Sequence, residues 1–304
     1  MLTFSSLLSA MPGAAAQGVL WGIMAVGVYI TYKILDIADL TVDGSFAFGG
    51  SVCAVLTLGG LHPVVAVLIA IFAGAIAGLI TGILHAVFDI PAILAGILTQ
   101  LALYSTNLRV MGRSNTPLLK VKTVVNNIQN VLPEINSTGA ALLIGGVTAV
   151  VAIVILYWFF GTEVGNEIRA TGNNEAMVKA LGGNTRLMKV FGLMISNGFV
   201  ALAGALVCQT QGYADVNMGT GAIVTGLAAI VIGNVLMGWA KSFASKMVSV
   251  LIGSIIYRMI IAVVLQFGFI ETTDLKLFSA IVVAVALSVP VMIDRQKSKP
   301  RKDI

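Results

Sequence analysis

Charge is scarce in this chain. Lys and Arg number 18 and Asp and Glu 13 among 304 residues, so charged side chains make up only 10%, against about a quarter in an average soluble domain. A soluble core of this length would be left without a polar coat. Histidine and cysteine are scarcer still. His62 and His85 are isolated from each other, and Cys53 and Cys208 sit in apolar runs without metal-ligand spacing, which excludes a zinc or redox site and leaves the thiols as small packing groups. His85 is expected to cap a helix near the membrane face. No Gly-rich loop followed by Lys and Ser or Thr is present, so the chain is not itself an ATPase. Nothing pairs a nucleophile with a base, which argues against an intramembrane hydrolase. The net charge of +5 is dispersed between apolar runs, without the aromatic-interleaved basic face of a nucleic-acid binder. The small residues at 14–18 lack a preceding basic region, so a retained interfacial segment is expected rather than a cleaved signal.

What is present is apolar length. Hydrophobic residues make up 58% of the chain, in runs close to the 20 or so residues that a helix needs to cross a core of about 30 Å. Barrel strands would be about ten residues long and alternate in polarity. The reading is therefore an all-α, polytopic transmembrane bundle forming a single domain over residues 1–304, with about nine spans, some short or broken. They fall near 17–35, 44–58, 63–87, 91–111, 139–161, 186–210, 222–240, 247–268 and 275–293. Basic residues in short loops mark the cytoplasmic side. The tail at 294–304 holds Arg295, Lys297, Lys299, Arg301 and Lys302, and threading back from it places Lys33, Arg169, Lys179, Arg186, Lys189, Lys241 and Lys246 inside as well, twelve of the eighteen in all. Arg109, Arg113, Lys120, Lys122 and Lys276 fall outside.

Four features depart from a plain bundle. The span opening at Gly44 is short and follows Asp36, Asp39 and Asp43; a helix interrupted there exposes backbone that needs water or protein partners. A weak echo comes later, where Asp215, Asn217, Gly219, Thr220 and Gly221 precede the run at Ala222, in the opposite direction, as an inverted repeat would. Gly74, Gly78 and Gly82 recur every four residues, a stripe for close helix packing, within the chain or between subunits. Arg258 lies inside a span, about 16 Å from the boundary at Lys246. It is either a pathway residue or half of a buried ion pair with Asp43 or Asp215. Asp43, Ser45, Gln100, Asn107, Asn197, Gln209, Gln211 and Asn234 complete the candidate translocation pathway, each with an alternative role as an interhelical hydrogen-bonding group. The segment 112–138 is a long extracytoplasmic loop, suited to docking a binding protein or to acting as a solvated lid.

Residues 161–189 interrupt the apolar pattern with three acidic and four basic residues. Ala176, Met177, Ala180 and Leu181 are spaced as an apolar strip on a short helix, with Gly182 and Gly183 as its stop. Such an element fits a partner's groove. The sequence Arg169-Ala-Thr-Gly-Asn-Asn-Glu175-Ala, then Ala180-Leu-Gly-Gly-Asn184, then Lys189 leading into Ser196-Asn-Gly-Phe-Val-Ala-Leu-Ala-Gly-Ala205, resembles the permeases of ATP-binding-cassette importers, in the group that includes branched-chain amino-acid and ribose permeases. Gln211-Gly-Tyr-Ala-Asp-Val-Asn-Met-Gly219, Asp39-Leu-Thr-Val-Asp-Gly-Ser45, Leu94-Ala-Gly-Ile-Leu-Thr99 and Ala102-Leu-Tyr-Ser105 are similar to a subgroup associated with binding proteins for tryptophan, tyrosine or related solutes.

The resemblance implies a type II-like permease that works as a homodimer in the plasma or inner membrane, with a cytoplasmic ATPase dimer and an extracytoplasmic substrate-binding protein. The chain would hold no cofactor of its own, ATP and magnesium being bound by the ATPase. It also implies that the loop at 161–189 is the coupling segment, with Arg169, Asn173, Asn174, Glu175, Lys179, Leu181, Gly182 and Asn184 at the ATPase contact. Gly183 departs from the branched residue common in the family and predicts flexibility at the end of the short helix. The solute would be small, such as an aromatic or hydrophobic amino acid. A secondary transporter working without an ATPase is the alternative, and a membrane scaffold or receptor a third reading.

Overall fold

The computed structural model describes residues 4–119, 121–238, 242–266, 277, 280–285 and 288. Among them, eight long helices fall where spans were expected. These are α1 (Phe4–Tyr29), α2 (Thr41–Leu58), α3 (Pro63–Ala86), α4 (Ala92–Met111), α6 (Ser137–Phe159), α9 (Thr185–Gln211), α10 (Ala222–Leu236) and α11 (Phe243–Gln266). Six of the spans meet the length and apolarity needed to cross a membrane; α4 is less apolar, and α10 has only 15 residues. The expected ninth span, Lys120, Lys241, Lys276 and the basic tail at 294–304 lie largely or wholly outside the described residues.

Local chemistry sets the boundaries. Pro63 opens α3 and Pro91 immediately precedes α4, positions where a missing N–H costs nothing. Gly112 and Gly212 end α4 and α9 in the left-handed conformation. Three short helices join the long ones: α5 (Val124–Val131), α7 (Glu163–Asn173) and α8 (Glu175–Ala180). Only α8 was expected. Thr123 and Asn126 form a reciprocal capping box on α5, and Thr162 caps α7. A two-stranded antiparallel ribbon, β1 (Asn115–Pro117) with β2 (Tyr213–Asp215), ties the ends of α4 and α9 together, a small exception to the all-α reading.

Small residues let the helices meet backbone to backbone. The stripe of Gly74, Gly78 and Gly82 is spent within the chain: a β carbon at these positions would strike Ala201 and Asn197, Leu193, and Val190 of α9. Gly18 and Gly22 of α1 pack in the same way on Ile255 and Leu251 of α11, and Gly233 of α10 packs on Ser249 of α11. The outer faces carry exposed Phe72, Ile76 and Ile80 on α3 and Val150, Val154 and Trp158 on α6, as lipid contact requires.

The two ends differ in charge. Lys33, Arg169 and Lys246 line one cavity at one end, where Arg186 pairs with Asp89 and Lys189 with Glu175. Arg109 and Arg113 lie at the other end, beside the ribbon.

Candidate functional site

α1 does not end cleanly. Its last turn widens into a π turn, Ile30–Ile34, closed by the bond from the Leu35 N–H to the Ile30 carbonyl at 3.0 Å. Asp36 then adopts φ 54° and turns the chain back into the bundle. The irregular segment that follows is stitched by buried polar groups. Asp39 accepts from the Thr41 N–H at 2.9 Å and from the Asn197 amide at 2.7 Å, while Asn197 accepts from the Ser45 hydroxyl at 2.7 Å. The Thr41 and Thr81 hydroxyls are 2.7 Å apart. α2 therefore starts inside the protein, with Gly44 packed on Gln100 and Leu103, about 12–16 Å along α4 from its first residue.

α10 starts inside as well, and the two N-termini meet. The Asp43 carboxylate accepts from the Gly221 N–H at 2.8 Å and the Ile223 N–H at 3.0 Å, while Gly219 lies against the Asp43 carbonyl. The first N–H groups of a helix have no partner within it, and hydrocarbon supplies none. A carboxylate meets that need and matches the helix dipole. α2 runs parallel to α9, since Ser45 lies by Asn197 and Thr57 by Gln209; α10 runs against α11, with Ala229 by Gly253 and Gly233 by Ser249. α1 runs against α11, with Gly18 by Ile255 and Gly22 by Leu251, and against α9, with Gly27 by Val200 and Leu35 by Gly192, so α2 and α10 are opposed, as the echo in the sequence suggested.

Beside this junction is a cavity of about 110 Å³ whose lining includes Asp43, Gln100, Tyr104, Asn107, Asn217 and Thr220. Asn107 is 1% exposed, and neither atom of its amide has a hydrogen-bond partner among the described residues. Of the pathway residues deduced from sequence, Asp43, Gln100 and Asn107 converge here. Ser45 and Asn197 lie behind them and hold the start of α2. Asp39, Tyr104, Asn217 and Thr220 were not among the candidates, although Asp39 belongs to the acidic segment and Asn217 and Thr220 to its echo.

The remaining candidates lie elsewhere. Gln209 bolts three elements together, donating to Thr57 at 2.9 Å and to Cys53 at 3.2 Å and accepting from the Val124 N–H at 3.1 Å. Gln211 is exposed at the end of α9, and Asn234 is in the last turn of α10. The expected ion pair of Arg258 is not found among the described residues. Asp43 is committed to α10, and Asp215 bonds Asn115 and the Asn217 N–H. The guanidinium of Arg258 instead lies 3.9 Å over the Trp21 ring, which stacks on Phe46 at 4.7 Å; a desolvated cation–π contact of this kind is worth about 2 kcal/mol.

At the basic end, the candidate coupling residues mostly shape a hairpin. Asn174 and Asn184 cap α8 and α9 through the Met177 and Leu187 N–H groups. Glu175 accepts from Lys179 at 2.9 Å, Lys189 at 2.8 Å and Thr185 at 3.1 Å. The hydrogen bonds from these two ammonium groups hold its carboxyl down at about 2. Gly182, with φ 85°, and Gly183 close α8 through bonds to the Lys179 and Val178 carbonyls, the pairing expected where a helix ends on a left-handed residue. Gly183 is closely packed: a β carbon there would meet the Val178 side chain at 2.5 Å. Ala176, Met177, Ala180 and Leu181 all face outward, and Leu181 is 80% exposed. Arg169 and Asn173 sit on α7, beside a cavity that Met177 of the α8 strip also lines.

A family model described as branched-chain amino acid transport system / permease component matches residues 11–288. The chain belongs to this family. The permease is 42% identical over 272 residues to the tyrosine transport system permease protein of Clostridioides difficile, covering 90% of this chain and 88% of the relative. It is 28% identical over 234 residues to the galactofuranose transporter permease protein YtfT of Escherichia coli, covering 76% and 66%. Its fold is like that of a chain in PsaBC from Streptococcus pneumoniae in complex with Fab, with a TM-score of 0.52, 15% identity and coverage of 93% and 95%. The permease is thus a transport subunit of an ATP-binding-cassette importer and not an enzyme, a multi-pass protein of the inner membrane whose family implies ATPase and substrate-binding-protein partners. Membership sets aside the secondary transporter and the scaffold.

Proposed function

We propose that the permease works as a homodimer that imports an aromatic or related hydrophobic amino acid, with the solute passing between the α4 faces of its two copies. The observation that carries this reading is the uncovered polar face beside α4. Tyr104, Asn217 and Thr220 are exposed there, next to the buried Asn107 amide and at the depth where α2 and α10 begin. Irregular backbone and polar side chains at such depth are tolerated only against protein or a water-filled space. A second copy facing α4 across a wet pathway supplies both. The relative named for tyrosine transport supports the choice of solute class.

The whole chain, 1–304, forms one transmembrane domain in this reading. The basic end and the tail at 294–304 face the cytoplasm, α8 docks on the ATPase that binds ATP and magnesium, and the segment 112–138 receives the binding protein. The experiment is uptake by proteoliposomes holding the permease, its ATPase and its binding protein. ATP-dependent accumulation of tyrosine is expected, together with a loss of about tenfold in Asn107→Leu, the penalty of a missing polar contact. Uptake that proceeds without ATP, or an Asn107→Leu variant with the wild-type rate, contradicts the proposal.

A further inference from the structure

The cations at the basic end fall into two sets. Lys179, Lys189 and Arg186 each pair with a carboxylate, at α8, the start of α9 and Asp89. Lys33, Arg169 and Lys246 form no ion pair among the described residues. All three are exposed, and all three line one cavity of about 910 Å³ between the π turn, α7, Met177 of α8 and the first turn of α11. Asp36 is the single carboxylate in its lining. Three cations against one anion, gathered from three separate elements, leave a concave surface with unspent positive charge.

The remaining lining points to where the compensating anion comes from. Tyr29, Tyr32 and Phe243 border the cavity, with Lys33 5.4 Å from the Tyr32 ring centre and the Arg169 guanidinium 5.8 Å from that of Phe243. Aromatic rings mixed with Lys and Arg are what the boundary between headgroups and hydrocarbon selects. The cavity sits at the start of α11, a helix long and apolar enough to span the membrane. It lies away from the polar cavity beside α4 and shares no lining residue with it. Basic pockets between spanning helices on the cytoplasmic side recognise lipid headgroups by charge.

We propose that this cavity binds the phosphate of an anionic phospholipid, held by Lys33, Arg169 and Lys246. The test uses the purified permease with its ATPase, offered phosphatidylglycerol and phosphatidylcholine together, and counts retained lipid by native mass spectrometry. Phosphatidylglycerol should be retained in preference. Lys33→Gln, Arg169→Gln and Lys246→Gln should each weaken its retention about fivefold, and the triple variant should abolish the preference. Arg109→Gln with Arg113→Gln at the opposite end should leave it intact. If the triple variant does not assemble, the three single variants carry the test. Equal retention of the two lipids overturns the proposal, as does an undiminished preference in the variants. Displacement by millimolar inorganic phosphate makes this a soluble-anion site and overturns the lipid assignment. Loss of the ATPase with the lipid preference unchanged assigns the cations to the ATPase instead.

Discussion

The main-chain carbonyl of Ile34 rests directly against the α carbon of Gly172, with no room for a β carbon between them. This contact joins α7, which leads into the exposed hairpin of α8, to the π turn from which the chain enters the bundle. From there, Asp39 and Asp43 carry the connection to Asn197 and to the start of α10. A push on α8 therefore has a rigid route to the opposed helix starts beside the polar cavity.

Gly172→Ala tests that route. One methyl group forced into a packed contact costs about 1–3 kcal/mol, relieved only if α7 withdraws from the π turn. The variant should still assemble with its ATPase and hydrolyse ATP, while solute imported per ATP hydrolysed falls about tenfold, as about 1.4 kcal/mol of lost coupling would give. An unchanged ratio of import to hydrolysis rules the route out.

Asp43→Ala removes the acceptor of the Gly221 and Ile223 N–H groups. Leaving buried donors unsatisfied costs about 1–3 kcal/mol, so this variant should unfold earlier in detergent melts. Asp43→Asn keeps one acceptor oxygen and should fall between it and the wild type. A melt of Asp43→Ala that overlays the wild type would show that water satisfies these donors.

The spans were legible because apolar length and its Gly, Pro and charge boundaries are local properties. The stop of α8 at Gly182 and the outward strip ending at Leu181 were legible for the same reason. Long-range pairing was not. Asn115 faces Asp215 across the ribbon, a contact between residues distant in sequence and set by where α4 and α9 end. Gln209 and Asn107 look alike in sequence as amides within apolar runs, yet one has its hydrogen-bonding needs met by three groups on two other helices and the other by none. Hydropathy placed Arg258 at depth but could not tell an aromatic ring from a carboxylate as its neighbour.

Glu175 makes the α8 hairpin sensitive to acid. Its carboxyl is held at about 2, below the ordinary 4.5, by hydrogen bonds from Lys189 and Lys179. A depressed folded-state value stabilises the hairpin fully above about 4.5, and that contribution is lost as the pH falls towards 2. The group is about one third exposed, so solvent screening keeps the contribution small. Spin labels on Ala180→Cys and Arg186→Cys should report one narrow distance from pH 7 to 5 that broadens only as the pH approaches 2. Glu175→Gln should be broad already at pH 7. Cys53 and Cys208 are buried, so they should take no label.

Leu181→Asp addresses the docking strip. Leu181 contributes nothing to the fold at 80% exposure, so the permease should keep its stability. An apolar anchor in a partner's groove is worth about 2 kcal/mol or more, and ATPase copurification should drop correspondingly. Retention of the ATPase at the wild-type level would move the contact away from α8.

One pair of exposed apolar residues tests which face of the bundle meets a second copy. Leu101 on α4 and Phe72 on α3 are both strongly exposed and apolar, at 63% and 69%, and hydropathy alone does not distinguish them. Their surroundings do, because Leu101 borders the cavity of Asp43 and Asn107, whereas Phe72 lies among Leu68, Ile69 and Ile76. A polar cavity cannot open onto hydrocarbon without cost. Leu101→Cys should therefore cross-link with a short bismaleimide into a dimer in native membranes, and Phe72→Cys should not. The buried native thiols make both single-site tests clean. Cross-linking through Phe72→Cys and not through Leu101→Cys would place the second copy on α3 and leave the polar cavity to a different partner.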